Sequence, residues 1–366
     1  MKIAILETGH FQYSLTQAEI FSECEKTIIT TNEIKKDIID YSAEFSDYDY
    51  VIIESIAKNE IDIINIIKKR QIDLFLISPV FDSYAALKRI VKKVACKKVL
   101  TTHNINTWFY GRFWSPKSYL DRVNMRAIIN NCDYIAIEDF IYNHLKTTND
   151  ILLKKHTFIY IPFTVFHQSK IRKYSKENMV LKVVLTGAID GDRRNYDEVL
   201  EVIHHFKKDT NKISFSFAGR AKGDYGITVQ NKLREIKKSY PTLVSFFEND
   251  STVDMFRKEM ETSDIVLSTS IKTFKGMGTM EYIGKTKPTA AIHDMMSYEL
   301  PGLLPSHLKV PEKLIGSVFN YNSAQELINI LENLIGNNIQ LEDLKMKAKV
   351  NSLNFTAKEI RKQLPF

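Results

Sequence analysis

Two kinds of apolar pattern alternate along the chain. In the first half, short unbroken runs recur: "KIAIL", "YVIIES", "DLFLISP", "KKVLTTH", "YIAIED" and "TFIYIP". They are rich in β-forming residues and show no in-out alternation, which predicts strands covered on both faces. Between them, "EIDIINIIKKRQ" and "YLDRVNMRAIINN" space their apolar residues at the period of an amphipathic helix. The second half repeats the theme. "LKVVLTG", "ISFSFAG", "LVSFF", "DIVLST" and "PTAAIH" read as strands, and "NYDEVLEVIHHFKK" and "NKLREIKKSY" as helices. "SAQELINILENLIG" and "LEDLKMKAKV" carry the helical pattern toward the end. Strand and helix in alternation predict an α/β protein with doubly wound parallel sheets.

At 366 residues the chain exceeds one usual domain. A polar, basic stretch, "HQSKIRKYSKENM", divides the two halves and reads as a linker. The prediction is two Rossmann-like domains, residues 1–168 and 179–345, facing a central cleft. A C-terminal helical segment, 346–366, is expected to pack back on the first domain. Such domains hold ligands between them, because the carboxyl ends of both sets of strands face the shared cleft.

Composition narrows the class. Apolar residues make up 44% and charged residues 26%, enough to bury a core. No apolar run reaches the length that spans a bilayer. The opening "MKIAILETGHF" reads as a first strand rather than a leader. Cys24, Cys96 and Cys132 are odd in number and lack metal-like spacing, which predicts reduced thiols and a cytoplasmic protein. Net charge is +7, and residues 83–120 hold eight Lys or Arg and no acid. Within that segment Leu87, Ile90, Val91, Val94 and Ala95 share one helix face, while Lys88, Arg89, Lys92 and Lys93 share the other. Such a helix packs on a sheet, rests on an anionic membrane surface, or does both. Nucleic acid is not expected as a partner, because the aromatic residues gather in one loop rather than along a basic groove.

Chemically suggestive residues fall just after predicted strands. In "KTFKGMGTMEYIGKTKP", residues 272–288, a Gly-containing turn runs into an expected helix start at "MEYIG". Free amides at Gly276, Met277, Gly278 and Thr279 would approach a phosphate, and Glu281 would accept from a ribose diol. The plainer reading is a turn followed by an acid that the helix dipole favours. "VVLTGAI" and "DGDRRNYDEVL" place Gly187, Arg193 and Arg194 where planar guanidinium groups would grip a diphosphate. "SFSFAGR" adds Gly219 and Arg220, and Lys275 is a candidate second cation. "VLTTHNINTWF" sets His103 and Asn104 past a strand end, although a histidine there is commonly structural. "NTWFYGRFW" gathers Trp108 and Trp114, which would stack on a sugar, settle at a lipid interface, or form an ordinary apolar cluster.

Taken in order, these segments resemble the nucleotide-binding half of GT-B-fold glycosyltransferases. The likeness is to the retaining, metal-independent type found in capsule and lipopolysaccharide assembly, and it covers most of residues 180–335. "LTGAIDGDRRNYD", "SDIVLSTS" and "MEYIGKTKPTAAI" carry it. The resemblance implies that Arg194 or Arg193 binds the donor diphosphate, Glu281 the ribose, and His103 the donor sugar. It also implies that Gly9 and His10 of "ETGHF" approach the donor phosphate or the acceptor, and that Glu138 makes an interdomain contact. His103, Arg194 and Lys275 are the expected catalytic set. Many members carry a second glutamate where this chain has Thr273, whose hydroxyl is left to bond the sugar. The function implied is transfer of a sugar from a nucleotide diphosphate, a UDP-sugar favoured, to a saccharide or lipid-linked acceptor, without a metal. The setting implied is the inner face of the plasma membrane. The alternative is a catalytically degenerate GT-B protein that binds a nucleotide sugar or a partner.

Overall fold

The computed structural model describes residues 1–41, 43–111, 115–166, 180–249 and 252–366. Trp114 and the "HQSKIRKYSKENM" stretch lie outside the described residues. The first sheet has seven strands: β1 (Lys2–Glu7), β2 (Glu25–Thr30), β3 (Asp49–Ile52), β4 (Leu74–Ile77), β5 (Lys97–Thr101), β6 (Tyr134–Ile137) and β7 (Phe158–Tyr160). They lie in the order β3-β2-β1-β4-β5-β6-β7, and every pair is parallel. In the central β4 all residues are buried, as the unbroken "LFLI" predicts, whereas the edge strand β3 is only half covered.

The second domain carries β8 (Leu181–Thr186), β9 (Ile213–Ala218), β10 (Val244–Phe246), β11 (Ile265–Leu267), β12 (Thr273–Gly276), β13 (Thr279–Tyr282), β14 (Gly302–Pro305) and β15 (Val318–Tyr321). Six of these form a parallel sheet in the order β10-β9-β8-β11-β14-β15, while β12 and β13 pair only with each other. In both sheets the order reverses at the first strand, between β1 and β4 and between β8 and β11. Crevices open at such reversals, on the carboxyl side of the strands.

Two local expectations are overturned. "PTAAIH" is not a strand: it leads into the helix Ala290–Tyr298, whose Ala291, Ile292, Met295 and Met296 are buried at helical spacing. Nor does a helix start at "MEYIG". Met277 and Gly278 have φ of 48° and 71°, so they form a tight two-residue turn, and the flanking residues zip into the β12–β13 hairpin.

The basic segment also has a defined place. Tyr84, Ala86, Leu87, Ile90 and Val91 of the helix Tyr84–Lys93 are buried in the fold, and Arg89 pairs with Glu60 at 2.6 Å. Lys92 and Lys93 stay exposed. At the end of the chain, the helix Ala357–Arg361 lies against Phe11–Ile20, with Ile360 buried and Phe366 stacked on Phe21.

Candidate functional site at the interdomain cleft

A cleft of about 660 Å³ separates the two domains. The second domain contributes Gly187, Ala188, Gly219 and Arg220 from the ends of β8 and β9, and Asp294 from the helix Ala290–Tyr298. The first contributes the face of Phe11–Ile20, and the crossing segment at residues 163–165 forms part of the wall. Two glycines make this floor possible. Gly187 has φ of 81°, and a Cβ at Gly219 would collide with the Gly187 carbonyl. Only glycine lets these strand ends touch and leave backbone open to a ligand.

The adjacent arginines divide the work. Arg194 is nearly buried and braces the floor, donating to the Ala188 carbonyl at 2.9 Å. Arg193 is more exposed and pairs with Asp190 at 2.7 Å. Asp294 was not anticipated from the sequence, because "PTAAIH" read as a strand concealed the helix that carries it. A signal existed: the acid sits on an apolar helical run, "AAIHDMM", which ends before "ELPGLLP" and β14. Burial pushes the Asp294 carboxyl up to about 6, with Thr186 and Arg194 pulling it down.

The first domain's strand ends gather at the other end of that helix. Lys287 crosses from the second domain to hydrogen-bond Asn104 Oδ1 at 2.7 Å, with its ammonium 5.2 Å from the centre of the Phe274 ring. Burial lowers its pKa to about 8; Glu281 opposes that shift and Arg193 adds to it. The His10 and His103 rings are 5.7 Å apart, and both lie against Phe163. Burial holds His103 well below the ordinary imidazole range, with His10, Lys287 and His293 adding to the shift, and its Nε2 is buried without a partner. The loop bearing Gly9 and His10 is pinned by Glu7, which accepts from their amides at 2.6 and 2.7 Å. Burial raises Glu7 to about 7. Three residues singled out in the sequence (His10, His103 and Asn104) thus gather around Lys287, which was not, and Gly9 lies next to His10 on the same loop.

Glu138 does make a contact between the domains. It accepts from the Phe163 amide at 3.1 Å and lies 3.4 Å from His293. Burial pushes the carboxyl up to about 8 and the imidazole down to about 3.

The hairpin holds the expected donor residues away from the cleft wall. Glu281 is fully buried, and its oxygens accept from the Asn106 amide (3.2 Å), the Thr107 amide (2.6 Å) and the Thr286 hydroxyl (2.7 Å). It caps the helical turn Asn106–Tyr110 of the first domain and does not line the cleft. Arg122 donates to the Met277 carbonyl and the Thr279 hydroxyl, both at 3.2 Å, and to the Thr107 carbonyl. Asn106 Nδ2 donates to the Met280 carbonyl at 2.9 Å. The strand register puts Thr273, Lys275, Met280 and Tyr282 on one face of the hairpin and Phe274, Gly276, Thr279 and Glu281 on the other. Thr273, Lys275, Gly276, Met277, Gly278 and Thr279 are likewise absent from the cleft wall, and Lys275 is exposed. Trp108 is buried edge-on against Tyr84, with ring centres 5.8 Å apart, and so belongs to the core. Among the described residues, no group of three or more His, Cys, Asp or Glu is placed to hold a metal, and no helix is long and apolar enough to cross a membrane.

No family model and no curated protein sequence matches the chain. Solved structures do. The glycosyltransferase of Rickettsia africae ESF-5 has a TM-score of 0.61 at 14% identity, over 99% of this chain and 96% of that one. HepE of Anabaena, in complex with UDP, has a TM-score of 0.64 at 13% identity, over 99% and 98%. The UDP-forming trehalose-phosphate synthase of Burkholderia xenovorans, in complex with glucose-6-phosphate, has a TM-score of 0.59 at 9% identity, over 99% and 98%. At such identities the likeness establishes the architecture: the chain has the GT-B fold, as its two doubly wound sheets require.

Proposed function

We propose that this GT-B chain transfers a sugar from a nucleoside diphosphate, UDP favoured, to a hydroxyl of a saccharide or lipid-linked acceptor. One observation carries the reading. Asp294 and the helix start at Ala290 line the cleft beside the open backbone of Gly187 and Ala188, and Lys287, just before that helix, reaches Asn104 of the first domain. That order matches the parts of a nucleotide sugar. The ribose diol donates to Asp294. The diphosphate lies against the first amides of the helix and the Gly187 backbone, with Arg193 alongside. The sugar then faces Lys287, His10 and His103.

Breaking the bond from the anomeric carbon to the diphosphate oxygen leaves its electron pair on the diphosphate. In this reading Arg193 and the first amides of the helix stabilise that growing charge, so it calls for no metal. The acceptor oxygen bonds the anomeric carbon and gives its proton to the departing diphosphate on the same face. This retaining course is supported by the sequence resemblance. The exposed Lys92 and Lys93 support a site on the cytoplasmic face of an anionic membrane, and with it a role in capsule or lipopolysaccharide assembly.

Calorimetric titration with UDP, GDP, dTDP and AMP tests the donor site, followed by incubation with the matching sugar nucleotide and acceptor sugars. UDP should bind and its sugar should be moved. Binding without any transfer would favour the degenerate, ligand-binding alternative. No binding of any of the four would remove the reading.

A further inference from the structure

A cation with no carboxylate partner lies between the two domains. Lys287 is half-buried and hydrogen-bonded to the neutral amide oxygen of Asn104. Among the described residues no carboxylate lies within ion-pair distance of it. The acid that most favours its charge, Glu281, already accepts from two amides and a hydroxyl. An ammonium withdrawn from water and left unpaired is costly, and an anionic ligand relieves that cost.

Its surroundings point to a ligand. Loops from the ends of β1 and β5 supply His10, His103 and Asn104, and the loop after β8 supplies Arg193. His103 Nε2 is buried there without a partner. Burial lowers the pKa of both histidines, and Lys287 lowers them further, so each ring is neutral and has one N–H to donate. One ammonium with neutral N–H donors around it suits a carboxylate set among ring hydroxyls. A neutral hexose would leave the ammonium unpaired.

Position separates the two anions that a sugar nucleotide can offer. Asp294 and Ala290 account for the ribose and the diphosphate, and Lys287 precedes them on the side of the first domain. Resting on the nucleotide-sugar reading above, we propose that the transferred sugar carries a carboxylate and that Lys287 is its counter-ion. The donor class is then a nucleoside diphosphate uronate.

The test is calorimetric titration of the full chain, Lys287→Met and Lys287→Arg with UDP, UDP-glucose and UDP-glucuronate. The wild type should bind UDP-glucuronate at least about tenfold more tightly than UDP-glucose, the factor one charge-assisted hydrogen bond supplies. Lys287→Met should abolish that preference and leave UDP affinity within about twofold, while Lys287→Arg keeps most of the preference. Equal affinity of the wild type for the two sugars overturns the proposal while leaving UDP binding intact. An equal loss of UDP and UDP-glucuronate affinity in Lys287→Met also overturns it, by assigning Lys287 to the diphosphate. If UDP itself does not bind the wild type, the nucleotide-site reading fails and takes this proposal with it. Should Lys287→Met not fold, the wild-type preference and Lys287→Arg still decide.

Discussion

Asp294 and Glu281 are two acids of one domain, each a few residues from a cluster of small residues, with opposite fates. Glu281 is enclosed by the hairpin and the first domain, and its oxygens accept from two amides and a hydroxyl. Asp294 stands on the cleft wall beside an open backbone. The chemistry of a carboxylate does not distinguish them; what distinguishes them is whether donors of the chain itself already fill its oxygens. A saturated acid holds structure together, and an acid facing a cleft is available to a ligand.

The largest expected effect breaks the saturated member. Glu281→Ala leaves two amides and a hydroxyl without an acceptor between the domains, and should lower unfolding stability by about 3 kcal/mol. Urea titration measures this, and the folded fraction should still bind UDP within about threefold of the wild type. Asp294→Ala should do the reverse. It should weaken UDP by about tenfold or more, through loss of a charge-assisted hydrogen bond, with stability unchanged or slightly raised at neutral pH. If Glu281→Ala abolished binding at full stability, the two roles would have to be exchanged.

The pH response sharpens the contrast. The folded-state pKa of Asp294, about 6, is above its ordinary value of 3.8. Its ionised form therefore costs stability at neutral pH, and that cost is relieved as pH falls through 6 toward 4. Ligand affinity runs the other way, because only the carboxylate accepts from a diol. UDP affinity should hold steady above pH 7 and weaken as pH falls through about 6. In Asp294→Asn that inflection should shrink to the part contributed by the terminal phosphate of UDP, whose second ionisation also lies at about 6. The smallest effect is expected on the hairpin's exposed side. Lys275→Ala should change stability by less than about 0.5 kcal/mol and leave UDP affinity unaltered, against its sequence-based assignment as a second diphosphate cation.

Much of the frame was legible in the chain. Runs such as "LFLI" and "VVLT" are long enough, apolar enough and β-rich enough to be buried parallel strands wherever they are placed. Gly187 and Gly219 were legible because a glycine at a strand end implies close backbone approach, and His103 with Asn104 because they follow β5. "EKTIIT", "GLLP" and "VFNY" gave weaker signals, since each is short, charged or interrupted by proline or glycine, and they emerge as β2, β14 and β15.

Local pattern determined the alternation of strand and helix, the two-domain division, and the side of each sheet where a ligand would bind. Those properties follow from periodicity and from the handed, parallel winding it imposes. Tertiary structure alone decided the roles of individual side chains. Whether "GMGT" closes a hairpin or opens a helix depends on the first domain that receives Glu281. Whether Lys287 is one more surface lysine or a desolvated cation depends on Asn104 and His103, brought to it from residues far away in the sequence. Burial and hydrogen-bond saturation belong to the assembled cleft, and they separate an acid that binds a ligand from one that binds the protein to itself.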